Sequence, residues 1–395
     1  MREFFRSTAC RLVLVLCASA PFAPLPAMAF TPTGNDVADA FMAVLETDDG
    51  MVDSYGSVSE GGETVVIKDL LLKRKDDDKK SATIATTTLR DGMVQSNGRL
   101  KLGTLSMSDL SVTAEDGGLA IGSFTATNLV LPTPEELNGS DGKSVIGPSY
   151  ETLEVLDAAI SDGSGNKFGI GRLFTAIDEM DGDLPTAFRF AIDDLKIKAA
   201  NLDDEAQKSL TDLGYETLTI SAEGQGRWDP EKETLEVKNL KLSGADAGTF
   251  ALNLSLGGVT REVITKLGAA EGDPESAMGL VQGVSVQNVS VRLDNSSLVE
   301  RVLDMQAREA GMDRTTLVQQ LTAGLPMMVS ILQNPAFQEK VVTAATTFLN
   351  DPVSLEVTVA PANPVPFAQI MGQAMMAPQT LPEVLGVDVV ANSAN

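Results

Sequence analysis

Between Gly98 and Pro132 the chain reads GRLKLGTLSMSDLSVTAEDGGLAIGSFTATNLVLP. Apolar residues recur at every second position, as one face of a β-strand requires. Their parity then changes: Leu105 and Met107 share one face, while Leu110 and Val112 fall on the opposite parity. The apolar positions also mirror one another about Glu115-Asp116. Val112 matches Leu119, Leu110 matches Ile121, and Met107 matches Phe124. Further out, Leu105 matches Ala126, Leu102 matches Leu129, and Leu100 matches Leu131, each pair of numbers summing to 231. Such a palindrome predicts an antiparallel hairpin in one register, with AEDGG as its turn. Both strands change parity at opposing points, so the ribbon has to curl as a unit.

The segment LSMSDLSV belongs to a wider pattern, Φ-x-Φ-x-[D/N]-Φ-x-Φ with Φ apolar. It recurs as VVIKDLLL (65–72), LSMSDLSV (105–112), FTATNLVL (124–131), LEVLDAAI (153–160), FAIDDLKI (190–197), LEVKNLKL (235–242) and VSVQNVSV (284–291). Asp69, Asp109, Asn128, Asp157, Asp194, Asn239 and Asn288 occupy the same place in the seven copies. Asp and Asn tolerate unusual backbone angles and bond their own backbone. We therefore expect β-bulges at these positions, where one extra residue returns the second apolar pair to the face of the first.

Elsewhere the pattern is helical. DVADAFMAVL (36–45) predicts a short capped helix in a region running from 30 to 132. Within that region the charge run KRKDDDKK (73–80) reads as a solvated hairpin tip. Residues 133–148 are rich in Pro, Gly and polar residues and read as a linker or loop. A second antiparallel β region is expected over 149–293, with a meander turning at WDPEK and GADAG, and a helix at 203–214. Over 294–395 helical stripes dominate: Leu298, Val302 and Met305; Leu317, Leu321, Leu325, Met328 and Leu332; Phe337, Val341, Ala345 and Phe348. Closing strands follow. The expected fold is α+β: curved, bulged antiparallel sheet or sheets forming a groove or open barrel, covered by a C-terminal helical cluster.

Composition narrows the chemistry. Residues 1–29 carry Arg2, Arg6 and Arg11, a short apolar run, and the cleavage signature Ala27-Met28-Ala29, which together predict a cleaved secretory leader. The expected location is the periplasm, with no stable transmembrane anchor in the mature chain. The only two cysteines, Cys10 and Cys17, lie in the leader, and the chain has no histidine. Imidazole bases, thiol nucleophiles and the commonest transition-metal ligands are thereby excluded. A formal net charge of −25 argues against nucleic acid as a partner. The acidic runs DGSGNK and DEMDGD depart from calcium-loop spacing, so no metal is expected. No cofactor and no catalytic residue is expected. Met371, Met375 and Met376, with Met327 and Met328, fit core filling by default and an adaptable apolar-ligand surface otherwise.

The IKDL, VKNL and VQNV cores of these copies resemble the strand repeats of AsmA-like and TamB-like envelope proteins, over roughly residues 52–291. That resemblance implies a curved sheet or groove with an apolar interior, a non-enzymatic role, and traffic in lipid. The C-terminal block resembles families of unknown function. From both lines, a soluble periplasmic protein that holds apolar ligands, lipid acyl chains above all, is expected. Candidate wall residues are Met107, Phe124, Leu129, Phe190, Ile192 and Phe250, which fit a plain core equally well. The alternative is a non-catalytic envelope scaffold or assembly factor that binds another envelope protein.

Overall fold

The computed structural model describes residues 30–46, 50–74, 77–138, 147–182, 184–269 and 279–393. The leader read at 1–29 and the centre of the 133–148 stretch lie outside the described residues. Strands pair antiparallel throughout, helices gather toward the C-terminus, and the class is α+β. The chain divides into two units, Met1–Ile177 with Ala191–Lys196, and Asp178–Phe190 with Ile197–Asn395. The boundary therefore falls within strand residues and not at 133–148. There the two flanking strands stay paired, with Val130 bridging Ser149.

The first unit opens with helix α1 (Asp36–Leu45). Its cap is Asn35, whose side chain accepts from the backbone N–H groups of Val37 and Ala38 at 3.1 and 3.0 Å. Asp36 and Asp39 sit in the first turn, where the helix dipole favours them. Strands β1 (Gly50–Ser54) and β2 (Ser57–Gly61) both pair with β3 (Thr64–Arg74). The order continues through β4 (Asp77–Arg90), then β6 (Leu100–Ala114) with the short β5 (Met93–Val94) on its flank. It ends with β7 (Gly117–Leu131), β8 (Thr152–Asp162) and β9 (Lys167–Asp181), after a helical turn α2 (Pro134–Asn138). The hairpin β6–β7 holds all six pairs of the palindrome, from Val112 opposite Leu119 to Leu100 opposite Leu131.

The Asx positions of the first unit behave differently from the expected bulges, whereas register shifts do accompany Asn239 and Asn288. Asp69, Asp109, Asn128, Asp157, Asp194 and Asn239 have φ between 46° and 56°, the left-handed region, whereas Asn288 does not. The register runs unbroken through Asp69, Asp109, Asn128 and Asp157. Leu110 still faces Ile121 and Ser108 still faces Ser123, so no residue is inserted at Asp109. One left-handed residue reverses the alternation, and the partner strand reverses at the same level. The partner residue there is small: Ala85 stands between Asp69 and Asp109, and Gly122 stands between Asp109 and Asp157. A Cβ at Gly122 would lie 3.1 Å from the Asp157 Cβ, and one at Gly171 would lie 3.0 Å from the Asp194 Cβ. The Asp157 and Asp194 side chains thus overhang glycines, which have no side chain to put there. Among the motif copies, extra residues accompany those of the second unit, beside Asn239 and at Gln287, next to Asn288, as expected of bulges. The first unit shifts register away from its Asx positions, between Val52 and Ser54 and between Lys73 and Arg74.

The core of the first unit is closed. Helix α1 inserts Phe41 and Met42 among Ile67, Leu89, Leu102 and Leu105, all of them inaccessible or nearly so. Within this unit helix α1 supplies the cover. Three candidate wall residues, Met107, Phe124 and Leu129, belong to this core and are buried.

In the second unit, β10 (Leu184–Lys198, shared between units) precedes helix α3 (Asp204–Asp212), capped by Asp203 and stopped by Gly214 at φ 80°. A meander follows: β11 (Thr217–Asp229), β12 (Thr234–Gly244), β13 (Gly248–Gly257) and, after helix α4 (Arg261–Ala269), β14 (Ser285–Asn295). Three helices come next, α5 (Leu298–Glu309), α6 (Arg314–Val329) and α7 (Pro335–Asn350). The chain then returns as β15 (Ser354–Val359) beside β14. The short β16 (Val365–Pro366) also pairs with β14. Helices α8 (Phe367–Met376) and α9 (Leu381–Val384) lead to β17 (Val387–Ala391), which pairs with β15. Among the described residues this ladder stays open. Its buried apolar cluster is small, built on Trp228, Val259 and Val284, with the Trp228 indole N–H donating to the Val259 carbonyl at 2.7 Å.

Candidate functional site

Strands β12, β13, β14, β15 and β17 carry apolar residues on one face in continuous cross-strand rows. One row runs Leu242, Phe250, Leu293, Leu355 and Ala391; the next runs Leu240, Leu252, Val291, Val357 and Val389. The opposite face holds Lys241, Arg292 and Glu356 in register, with Ser243, Thr249 and Asp294 beside them. Its polar groups are satisfied. Arg292 donates to Asp294 at 2.8 Å, to Glu356 at 3.3 Å and to the Ser393 hydroxyl at 2.8 Å. The Asp294 carboxylate beside it holds the guanidinium above its ordinary pKa.

The apolar face is incompletely covered. Helix α7 packs on β15 and β17, with Ala344 and Phe348 buried. Toward β12 and β13 the cover ends: Leu242 is 52% exposed and Phe250 44%. None of Leu240, Leu252, Val291 or Leu293 is fully buried. The face extends over β11, where two glycines admit aromatic rings. A Cβ on Gly224 would meet the Phe190 ring at 2.8 Å and Leu240 at 3.1 Å, and one on Gly226 would meet the Phe188 ring at 2.5 Å. Phe188, Phe190, Leu240, Leu242 and Phe250 therefore line one open apolar surface of the second unit.

Two of the six candidate wall residues, Phe190 and Phe250, contribute to this surface. Ile192 is half-buried and assigned to the first unit. Phe188, Leu240 and Leu242 are not among the candidates, although LEVKNLKL contains the last two. Their alternation marks them as inward-facing, but alternation says nothing about whether a cover exists.

Charged groups near this surface are engaged in ion pairs. Asp178 accepts from Arg189 at 2.7 and 2.8 Å, which holds the carboxyl below its ordinary pKa. Glu179 accepts from Arg227 at 2.7 and 2.9 Å, and Asp181 pairs with Arg261. Asp178, Glu179 and Asp181 of the DEMDGD run thus serve ion pairs, two across strands and one to the first residue of α4. Asp162 of the DGSGNK run accepts from Asn166 and from the Ser164 and Asn166 backbones at 2.8–2.9 Å, and these bonds lower its pKa. Among the described residues no group of three or more carboxylates is arranged to hold a metal ion.

The methionines expected in a core are on the outside. Met327, Met328, Met375 and Met376 are all exposed, although Met328 lies on the stripe expected to face inward. Val318 is instead the buried residue of α6. The stretch Arg314–Leu332 is long and apolar enough to cross a membrane by length and composition, and only 11% of it is buried.

Residues 241–392 match the model of a protein family whose description reads "Uncharacterized protein". No curated protein matches the chain. The matched span takes in Leu242, Phe250 and the exposed methionines.

Proposed function

We propose that this chain is a non-catalytic protein of the periplasm that holds an apolar ligand, a lipid acyl chain, against the open sheet face of its second unit. The observation that carries this reading is the exposure of Leu242 and Phe250 within a face that is apolar in every row, continuous with the Phe188 and Phe190 rings. Each methylene laid on that face and removed from water contributes about 0.8 kcal/mol, so an acyl chain binds with little need for polar contacts. The resemblance of the strand repeats to those of AsmA-like and TamB-like proteins supports the same reading, as does the leader-like N-terminus.

The test is to express the chain with its leader in a Gram-negative periplasm, purify it without detergent, and weigh it by native mass spectrometry. Stoichiometric phospholipid or fatty acid is expected, and Phe250→Asp should lose it. A lipid-free mass that also refuses added fatty acid overturns the reading and favours the scaffold alternative.

A further inference from the structure

Two stretches of the second unit each carry a group of exposed methionines. Met327, Met328 and Ile331 end helix α6 and the turn after it, while Met371, Met375 and Met376 lie on helix α8. Met327, Met375 and Met376 are 84, 83 and 89% exposed. A hydrogen bond ties the two stretches together: the Asn334 side-chain amide donates to the Gln379 carbonyl at 3.0 Å. Asn334 lies three residues beyond Ile331, and Gln379 three beyond Met376, so the nearest member of each group is within roughly 11 Å of chain from the tie.

These stretches share a second property. Residues 315–338 and 357–382 contain no Asp, Glu, Lys or Arg, in a chain whose formal net charge is −25. Elsewhere the acidic surface repels an anionic partner. Within these stretches there is no charge to repel or to pair, and Glu339 lies just past the first of them. Nor do the two stretches carry Trp, Tyr or Arg, the residues that anchor protein–protein interfaces. Methionine is unbranched and adapts to irregular apolar surroundings. Shallow burial of such side chains at the boundary of headgroups and acyl chains needs apolar area and no charge.

We propose that this methionine tip docks the protein on a lipid bilayer of zwitterionic headgroups. The docking depends on the ligand-binding reading only for its purpose, the collection or delivery of an acyl chain; the contact itself stands apart from the sheet face. It is peripheral and driven by apolar burial, and high salt leaves it intact.

Flotation of the full chain with phosphatidylcholine vesicles, in low and high salt, tests this. Wild type should float in both. The double variant Met375→Glu, Met376→Glu should lose at least about tenfold in partition, since each substitution puts a charge where a methionine met the acyl chains. Met327→Glu, on the other stretch, should weaken flotation as well. All three positions are exposed, so the variants should keep wild-type circular dichroism and Trp228 emission. Phe250→Asp should float like wild type while losing co-purified lipid, which separates failure of the docking surface from failure of the ligand site. The proposal is overturned if wild type does not float, if the glutamate variants float equally well, or if high salt releases the protein. It is equally overturned if the tip instead forms a dimer without vesicles that the glutamate variants dissociate.

Discussion

Asn239 and Asn288 occupy the same place in two copies of one motif, in the same unit, with different backbones. Asn239 has φ 52°, while Asn288 lies outside the left-handed region. Valine at each position separates conformation from composition. A non-glycine residue in the left-handed region costs about 1–2 kcal/mol, which Asn offsets by local bonding and a β-branched residue does not. Asn239→Val should therefore destabilise the second unit by about 2 kcal/mol. Asn239→Gly, free of a Cβ but losing more chain entropy on folding, should fall within about 1 kcal/mol of wild type. Asn288→Val, at an exposed position with ordinary φ, should change stability by no more than about 0.5 kcal/mol. Trp228 is the only tryptophan and sits on the adjoining strand β11, so urea unfolding followed by its fluorescence reads this unit directly. With a slope of about 2 kcal/mol per molar urea, the Asn239→Val midpoint should drop by about 1 M. Equal losses for the two valine variants, or a glycine variant as damaged as the valine one, would refute the conformational account.

Two further outcomes follow from burial and charge. Phe124→Ala should cost about 3–5 kcal/mol, because the ring is buried in the first unit's closed core, and should leave co-purified lipid unchanged; calorimetry and native mass spectrometry read the two effects. The carboxyls of Glu136, which accepts from the Arg99 guanidinium at 2.8–3.1 Å, and of Asp162 and Asp178 all lie below their ordinary pKa, so the stability they contribute is present above the unfolded value of about 4 and is lost as pH falls through their folded values. With no histidine to titrate, the urea midpoint should stay nearly flat from about pH 5 to 8 and drop below about pH 4.

Much of the strand order is legible in the sequence because alternation and mirror symmetry are local to each hairpin. Leu100 and Leu131 pair on the sequence alone, since the apolar residues between them find partners at a constant sum. That constant sum also rules out a residue inserted into one strand, so the palindrome and the expectation of bulges at Asp109 and Asn128 are in conflict. The structure resolves it in favour of unbroken register. The candidate site is less legible. Met107 and Phe250 obey the same alternation, yet one is core and the other is open. What separates them is a cover: helix α1 lies over the first, some sixty residues earlier in the chain, and α7 stops short of the second. Helical spacing likewise places Met328 on an inner stripe, but a stripe has an inner side only where something packs against it.

Across the first unit, Asp69, Ala85, Asp109, Gly122, Asp157, Gly171 and Asp194 form a row in which overhanging and small residues alternate from strand to strand. That alternation makes the hairpin, not the single strand, the unit of growth. A duplicated or deleted hairpin brings one acidic member and one small member and leaves the crease continuous. A lone strand added or lost would set two carboxylates against each other, or two empty places. The width of such a sheet can thus change in steps of two while its bend stays where it is, much as a pleat survives when panels are added in pairs.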